Sequence, residues 1–344
     1  MTLAEAIARL LAREDLGTAE MTDVMGLIMG GEATPAQIGA FLMGLAMKGE
    51  TVTEVAAAAH VMRSLATPVS IDIEGVVDIV GTGGDGARTF NVSTTASVVV
   101  AAAGGRVAKH GNRSVSSSSG SADVLEAIGV RLDLKPEQIA RCVEQVGVGF
   151  MFAPMHHAAM KHAIGPRREM GVRTIFNVLG PLTNPAGVHN QVLGVYSSRW
   201  LEPLAEVLQR LGSRHVMVVH AEDGLDEISI AAPTRVAELR DGRISSYRLT
   251  PEDCGLTSAS LDEIRVEDPA ASQAMMAGVL AGEAGAARDI VLLNAGAALY
   301  VSGRAASVSE GVAQASAAID SGEARRRLDA LARFTQQLAE ATAE

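Results

Sequence analysis

Aromatic residues are scarce in this chain: six Phe, three Tyr and one Trp make up 3 % of 344 residues, although 48 % of them are hydrophobic. A core of that kind must be filled by Ala, Val, Leu and Met, which suits closely packed, Ala-rich helices. A basic surplus is also missing, since 29 Lys and Arg against 40 Asp and Glu leave a net charge of -11. That balance argues against nucleic acid as a partner, because phosphate contacts dominate such affinity. The basic residues present must instead gather where an anionic substrate binds. Cysteine is limited to Cys142 and Cys254, far apart and without metal-like neighbours. Free thiols in a reducing, cytoplasmic setting are expected. No apolar run reaches the ~20 residues that cross a bilayer, so no membrane partner is expected. The opening MTLAEAIARLLAREDL is mixed in charge and lacks the apolar centre of a signal peptide. There is no GxxxxGK[ST], which removes the ordinary nucleoside triphosphatase, and no Ser/His/Asp or Cys/His nucleophile pattern.

What is present divides the chain in two, as its length favours. Residues 1–66 read as four helices, Leu3–Leu11, Ala19–Met29, Pro35–Met47 and Thr53–Leu65, with Thr18, Thr34 and Thr51 or Thr53 as N-caps. Gly30-Gly31 and Gly49 close two of them. The segment holds no obvious catalytic group, and His60 reads as a surface or interface histidine. Such a lobe is a candidate dimer surface. After the linker Ala66–Glu74, short Val/Ile-rich strands alternate with helices: Val76–Val80, Arg106–Lys109, Val148–Phe152, Gln191–Val195 and His215–His220. Alternation of that kind predicts an α/β lobe with a mainly parallel central sheet, the small N-terminal helical lobe beside it. Thr234–Thr250 changes to period two around Asp241-Gly242, a hairpin signal. From about Ala270 to Thr342 the chain is helical, with Asn294-Ala-Gly-Ala read as an unusual turn. The expected domains are 1–66, joined in space by part of 155–185, and 73–335.

Two strand-to-helix turns carry the strongest signal. The first, Gly81–Asn91 (GTGGDGARTFN), follows an apolar strand and leads into an Ala/Val-rich helix. Its glycines let backbone approach a ligand, and Asn91, Ser93 and Thr94 offer oxygens and free amides where that helix starts. A loose GxGxxG match does not make it a dinucleotide turn: Arg88, Thr89 and Phe90 intervene before the helix, and position 106 is Arg where an acid is required. The second, Lys109–Ser121 (KHGNRSVSSSSGS), joins Lys109, His110, Asn112 and Arg113 to a run of serines. Point charge, planar fork and hydroxyls are the parts of an oxyanion cradle.

Two further segments bear charge. In HAEDGLDEIS, Asp226 and Glu227 follow an apolar strand, and adjacent carboxylates beside a phosphate site suit Mg²⁺; Glu222 and Asp223 lie in the same loop as alternatives. In Phe150–Asn177, three histidines accompany Arg167, Arg168 and Arg173, any of which is chemically able to pair with a planar carboxylate. The histidine spacing, without cysteine, does not suit zinc. His110 and His157 are candidates for one pocket. RTIFNVLGPLTNPAG reads as a helix ending at Gly180-Pro181, a scaffold and hinge between the lobes.

Taken together, GTGGD, TFNVST, KHGNRSVSS with GSADVLEAIG, RTIFNVLGPLTNPAG and DGLDEIS closely resemble the anthranilate phosphoribosyltransferases of tryptophan biosynthesis, in order and over nearly the whole chain. Related nucleoside phosphorylases share the Lys-His-Gly piece but not the combination. The resemblance implies transfer of a phosphoribosyl group from phosphoribosyl pyrophosphate to anthranilate. It implies phosphate and ribose contacts from Gly84, Asp85, Thr89, Asn91, Val92, Ser93, Thr94, from Lys109, His110, Gly111, Asn112, Arg113, Ser114, Val115, Ser116, Ser117 and from Ser121. Gly81 and Asn112 would also meet the acceptor, whose carboxylate falls to Arg167. Lys109 and Arg167 take the catalytic roles. Asp226, Glu227 and Ser93 would hold Mg²⁺, two ions per monomer, and the helical lobe would form a homodimer. The chain departs from the family pattern at Ala158, where proline is usual, and at Pro166, where valine is usual.

Overall fold

The computed structural model describes residues 1–113 and 119–341. Ser114, Val115, Ser116 and Ser117, expected at the phosphate site, lie outside the described residues. The first four helices are α1 (Leu3–Leu11), α2 (Thr18–Gly30), α3 (Pro35–Lys48) and α4 (Val52–Leu65). Thr2, Thr34 and Thr51 cap α1, α3 and α4, each accepting from the amide three residues on while that residue's side chain returns the bond. Thr18 is no cap. It lies inside α2, and the Glu20 carboxylate reaches back to the Gly17 amide at 2.8 Å, so an acid replaces the hydroxyl.

The sheet has seven strands: β1 (Val76–Gly81), β2 (Arg106–Gly111), β3 (Val148–Phe152), β4 (Asn190–Gly194), β5 (His215–Ala221), β6 (Thr234–Arg240) and β7 (Arg243–Leu249). Their order is β3-β2-β1-β4-β5-β6-β7, parallel through β5 and antiparallel for the last two. The hairpin turn is made by Asp241 and Gly242, both at positive φ (51° and 73°), as a two-residue connection of strands with right-handed twist requires. The order reverses direction between β1 and β4, and ligands of open parallel sheets collect at the carboxyl ends there.

The remaining helices are α5 (Val92–Ala102), α6 (Ser121–Ala127), α7 (Pro136–Gln145), α8 (Ala153–His156), α9 (Lys161–Met170), α10 (Phe176–Leu179), α11 (Leu201–Arg210), α12 (Pro269–Leu280), α13 (Ala286–Val301), α14 (Val308–Asp320) and α15 (Glu323–Glu340). They cover both faces, and period-two alternation sorts the strand side chains between two cores. Val192, Met217 and Val219 pack with α5, α13 and α15 on one side. Leu193, Val216 and Val218 face the other, where Leu204 and Leu208 of α11 meet Ile28, Phe41 and Val55 of the first helices. That second core also takes in Ala163, Ile175, Phe176 and Leu182.

Two expectations need correction. Asn294-Ala-Gly-Ala is not a turn but the buried middle of α13: the Asn294 amide accepts from Ile228 N at 3.0 Å and donates to Ile228 O at 2.9 Å, so a helix-weakening residue is repaid by tertiary bonds. RTIFNVLGPLTNPAG forms only the one-turn α10, and the coil continues past Pro181 as a tighter turn to Thr183.

Candidate active site

Strands β1 and β2 bury two opposite charges near each other, Asp78 and Lys109. Lys109 is 2 % exposed, and its Nζ donates to Ile79 O at 2.6 Å and to Ser93 Oγ at 3.2 Å. Burial pushes its pKa down, against the pull of Asp78, Glu227 and Asp226. Asp78, fully buried within β1, accepts from Asn184 Nδ2 at 2.7 Å and from the His110 amide at 3.3 Å. Burial raises its carboxyl to about 6 even with Lys109 alongside. Asn184 also donates to Ala108 O at 2.9 Å, so the turn after α10 is bolted to both central strands.

The loop after β5 presents the acids. Asp226 Oδ2 accepts from Gly83 N at 2.6 Å, and its backbone lies so close to β4 that a Cβ on Gly194 would collide with the Asp226 carbonyl. Glu227 is partly exposed, with the Ser93 amide donating to it. Both carboxyls are pushed above their usual range, first by burial, then by Asp85 for Asp226 and by Asp226 for Glu227. Glu222 and Asp223 are occupied elsewhere: Glu222 pairs with Arg248 at 2.7 Å, and Asp223 accepts from Ser229 Oγ at 2.6 Å. Among the described residues no three His, Cys, Asp or Glu side chains converge as a metal cage. Yet Asp226 and Glu227 lie near Lys109, and Asp85 lies beside that pair, giving an excess of negative charge and an all-oxygen donor set. That fits Mg²⁺, which takes one or two carboxylates and completes its shell with water and substrate phosphate.

Around the first loop, Gly81 ends β1, Gly84 O accepts from Arg173, and Asp85 Oδ1 accepts from Ala87 N at 3.2 Å. Thr89 bridges to Arg265. Val92, Ser93 and Thr94 form the first turn of α5, whose positive end favours an anion; Val92 N already donates to Phe90 O at 2.7 Å, and the Thr94 hydroxyl is buried without a partner. In the second loop Gly111 ends β2, Asn112 is exposed with its carbonyl accepting from Ala122 N at 3.3 Å, and Ser121 opens α6. Arg113 turns toward α6, pairing with Asp123 at 3.1 Å and Glu126 at 2.7 Å. Its guanidinium is therefore committed to protein carboxylates here.

Next to Lys109 on β2, His110 lies 5.1 Å from His157, ring to ring. Both are buried with Nε2 unpartnered. Burial, then His157, brings His110 to about 3; burial, then His156, brings His157 to about 4, so both are neutral at pH 7. His156 Nδ1 is taken by Thr67 O at 2.9 Å. Arg167 stands 4.9 Å over the Phe176 ring, partly buried, with no acidic partner among the described residues. Pro166 beside it is buried inside α9, and Arg168 is exposed. Arg173, read from sequence as scaffold, instead stacks 4.1 Å over Tyr196 and holds the glycine loop. Asp78 and Asn184 escape the sequence, while Arg173 and Asn294 are noticed there but given other roles. Only Asp78 has a local signal, an acid inside the apolar run VVDIV.

Residues 74–325 match the family model described as the glycosyl transferase family a/b domain, and residues 4–66 the glycosyl transferase family helical bundle domain. The chain is similar to the anthranilate phosphoribosyltransferase of Thioalkalivibrio sulfidiphilus, at 69 % identity over 97 % of this chain and 99 % of that one. The crystal structure of the Thermus thermophilus anthranilate phosphoribosyltransferase matches at 44 % identity and a TM-score of 0.91, covering 96 % of this chain and 99 % of that one. The Saccharomyces cerevisiae enzyme in complex with PRPP and Mg matches at 26 % identity and a TM-score of 0.89, covering 97 % and 98 %. The same yeast enzyme, in complex with 4-fluoroanthranilate, gives 0.87 at 26 % identity, covering 97 % and 98 %.

Proposed function

The chain belongs to the anthranilate phosphoribosyltransferase family, and we infer from that membership that it transfers the 5-phosphoribosyl group of phosphoribosyl pyrophosphate to the amine of anthranilate, giving N-(5-phosphoribosyl)anthranilate and pyrophosphate in tryptophan biosynthesis. The observation that carries the site assignment is the junction of Lys109, Ser93 and Glu227 where β1, β2 and β5 end. Asp226, Glu227 and Ser93 would hold magnesium, two ions per chain, which would supply positive charge beside the pyrophosphate.

The amides opening α5 and the Lys109 ammonium meet the developing negative charge on the leaving group, the electrostatic contribution expected to dominate. Gly84, Asp85, Thr89, Asn91 and the second loop through Ser121 hold the remaining phosphate and ribose oxygens. Arg167, free of acidic partners among the described residues, takes the anthranilate carboxylate in a two-pronged hydrogen bond. Gly81 and Asn112 line the acceptor with it, and the unpartnered Nε2 atoms of His110 and His157 offer lone pairs to its amine. An arylamine is neutral at pH 7, so attack needs no strong base. Orientation of amine and anomeric carbon supplies up to ~7–11 kcal/mol in an ideal case.

We further propose residues 1–66 with part of 155–185 as one domain and 73–335 as the other, and a homodimer through the helical lobe. Leu11 and Met47, 78 % and 67 % exposed on α1 and α3, support such a surface. No helix among the described residues is long and apolar enough to cross a membrane. Buried, unpaired Cys142 and Cys254 agree with a cytoplasmic setting, and the charge of -11 with the lack of a nucleic-acid partner.

The test is loss of anthranilate fluorescence with purified protein, phosphoribosyl pyrophosphate and Mg²⁺, with the Asp226→Ala/Glu227→Ala double variant beside it. Loss that requires both additions and the acidic pair supports reaction, acceptor and metal site together. No loss from folded wild-type protein would refute the acceptor.

A further inference from the structure

Asn91 joins the glycine loop to α5 at φ -73° and ψ 71°, outside the helical and extended wells, and its side chain makes no capping bond to the helix it precedes. Something else must hold it. Ser272 of α12, fully buried, accepts from Asn91 N at 3.1 Å and donates to Asn91 Oδ1 at 2.6 Å, gripping one residue at two points. The same Oδ1 accepts from Ser119 Oγ at 2.9 Å, and Asn91 Nδ2 donates to Ser119 O at 3.1 Å. The carboxamide is thus a knot of three segments: the end of the first loop, the return of the second, and α12. The height of Ser272 is set in turn by Asp268, which caps α12 through Ala271 N at 2.8 Å and accepts from Ser272 N at 3.2 Å.

We propose that Ser272 is a positioning residue for the phosphoribosyl donor, fixing Asn91 so that the start of α5 and Ser119, where the second loop returns, face the same phosphates, a role that rests on the donor site proposed above. Nothing in the sequence links positions 91 and 272, which lie 181 residues apart. Among the described residues, no hydrogen bond or ion pair joins Arg167, His110 or His157, which the acceptor would meet, to Asn91 or Ser272, so the two substrates separate the effect.

In Ser272→Ala, the KM for phosphoribosyl pyrophosphate should rise roughly tenfold, as expected for one or two lost hydrogen bonds, while the anthranilate KM stays within about twofold. Ser272→Cys, keeping a weak donor, should recover part of the loss. Ser119→Ala should raise the donor KM too, and the double variant should fall short of the product of the two effects, because both act through one carboxamide. Calorimetric binding of phosphoribosyl pyrophosphate with Mg²⁺ reads the same change without turnover. An unchanged donor KM and affinity in Ser272→Ala would overturn the proposal, as would equal rises in both KM values, which mark general damage. Failure of the functional reading itself would show differently, as wild-type protein that does not bind the donor.

Discussion

Arg167 is placed by α9 over the Phe176 ring with its guanidinium unclaimed by any described acid, and such a partly dry arginine is costly unless a ligand uses it. Arg167→Ala should raise the anthranilate KM by about ten- to a hundredfold with the donor KM within about twofold, since a charge-assisted bond is worth ~1.5–3 kcal/mol; steady-state kinetics in both substrates checks this. His157 allows a pH prediction with a fixed sign. Its pKa falls from 6.5 to about 4 on folding, so the unfolded chain binds the extra proton and acid favours unfolding. Its penalty is absent above pH 6.5 and grows as pH falls toward 4. Wild type should therefore lose about 1.5 kcal/mol more than His157→Asn between pH 6.5 and 5, the slope approaching ~1.36 kcal/mol per unit only below pH 6, by denaturant unfolding. At this scale the sequence was readable only where chemistry is local: Lys109 stands within the short strand β2 just ahead of Gly111, and Asp226 and Glu227 in the loop that follows the apolar strand β5. Arg173 looked like part of a linker because what it holds, Gly84 O, is 89 residues away.

Elements were more legible, because fully buried parallel strands leave short Val/Ile runs and two-residue hairpins demand Asp-Gly. The failure at α13 is instructive. Asn-Ala-Gly-Ala has turn chemistry, and only partners from elsewhere make it helix: Ile228 bonds the Asn294 side chain, and Gly311 of α14 sits against Gly296. Those Ile228 bonds also anchor the chain one residue after Glu227. Asn294→Ala should cost about 2–3 kcal/mol in denaturant unfolding, because the buried Ile228 amide and carbonyl lose their partner. It should also raise the Mg²⁺ concentration that half-saturates activity, while the anthranilate KM stays unchanged. A rise in neither would mean that α13 does not position the acidic loop.

For the whole molecule, chelation with EDTA should abolish turnover reversibly, and phosphoribosyl pyrophosphate with Mg²⁺ at a hundred times Kd should add about 2.7 kcal/mol to folding stability, read as a raised Tm. If the helical lobe pairs as proposed, Met47→Glu, placing charge on the exposed end of α3, should halve the wild-type mass in light scattering; an unchanged mass would remove α3 from the proposed interface. Two lobes were visible in the sequence, but not how far they share an interior. Ile28, Phe41 and Val55 close one core with Phe176, Leu182, Leu204 and Leu208. A ribosome delivers the first four helices long before the residues that cover them, and at ~5–20 residues per second the gap of well over a hundred residues lasts roughly ten to thirty seconds. Through that interval the nascent amino-terminal lobe carries open apolar faces that only later segments of its own chain cover.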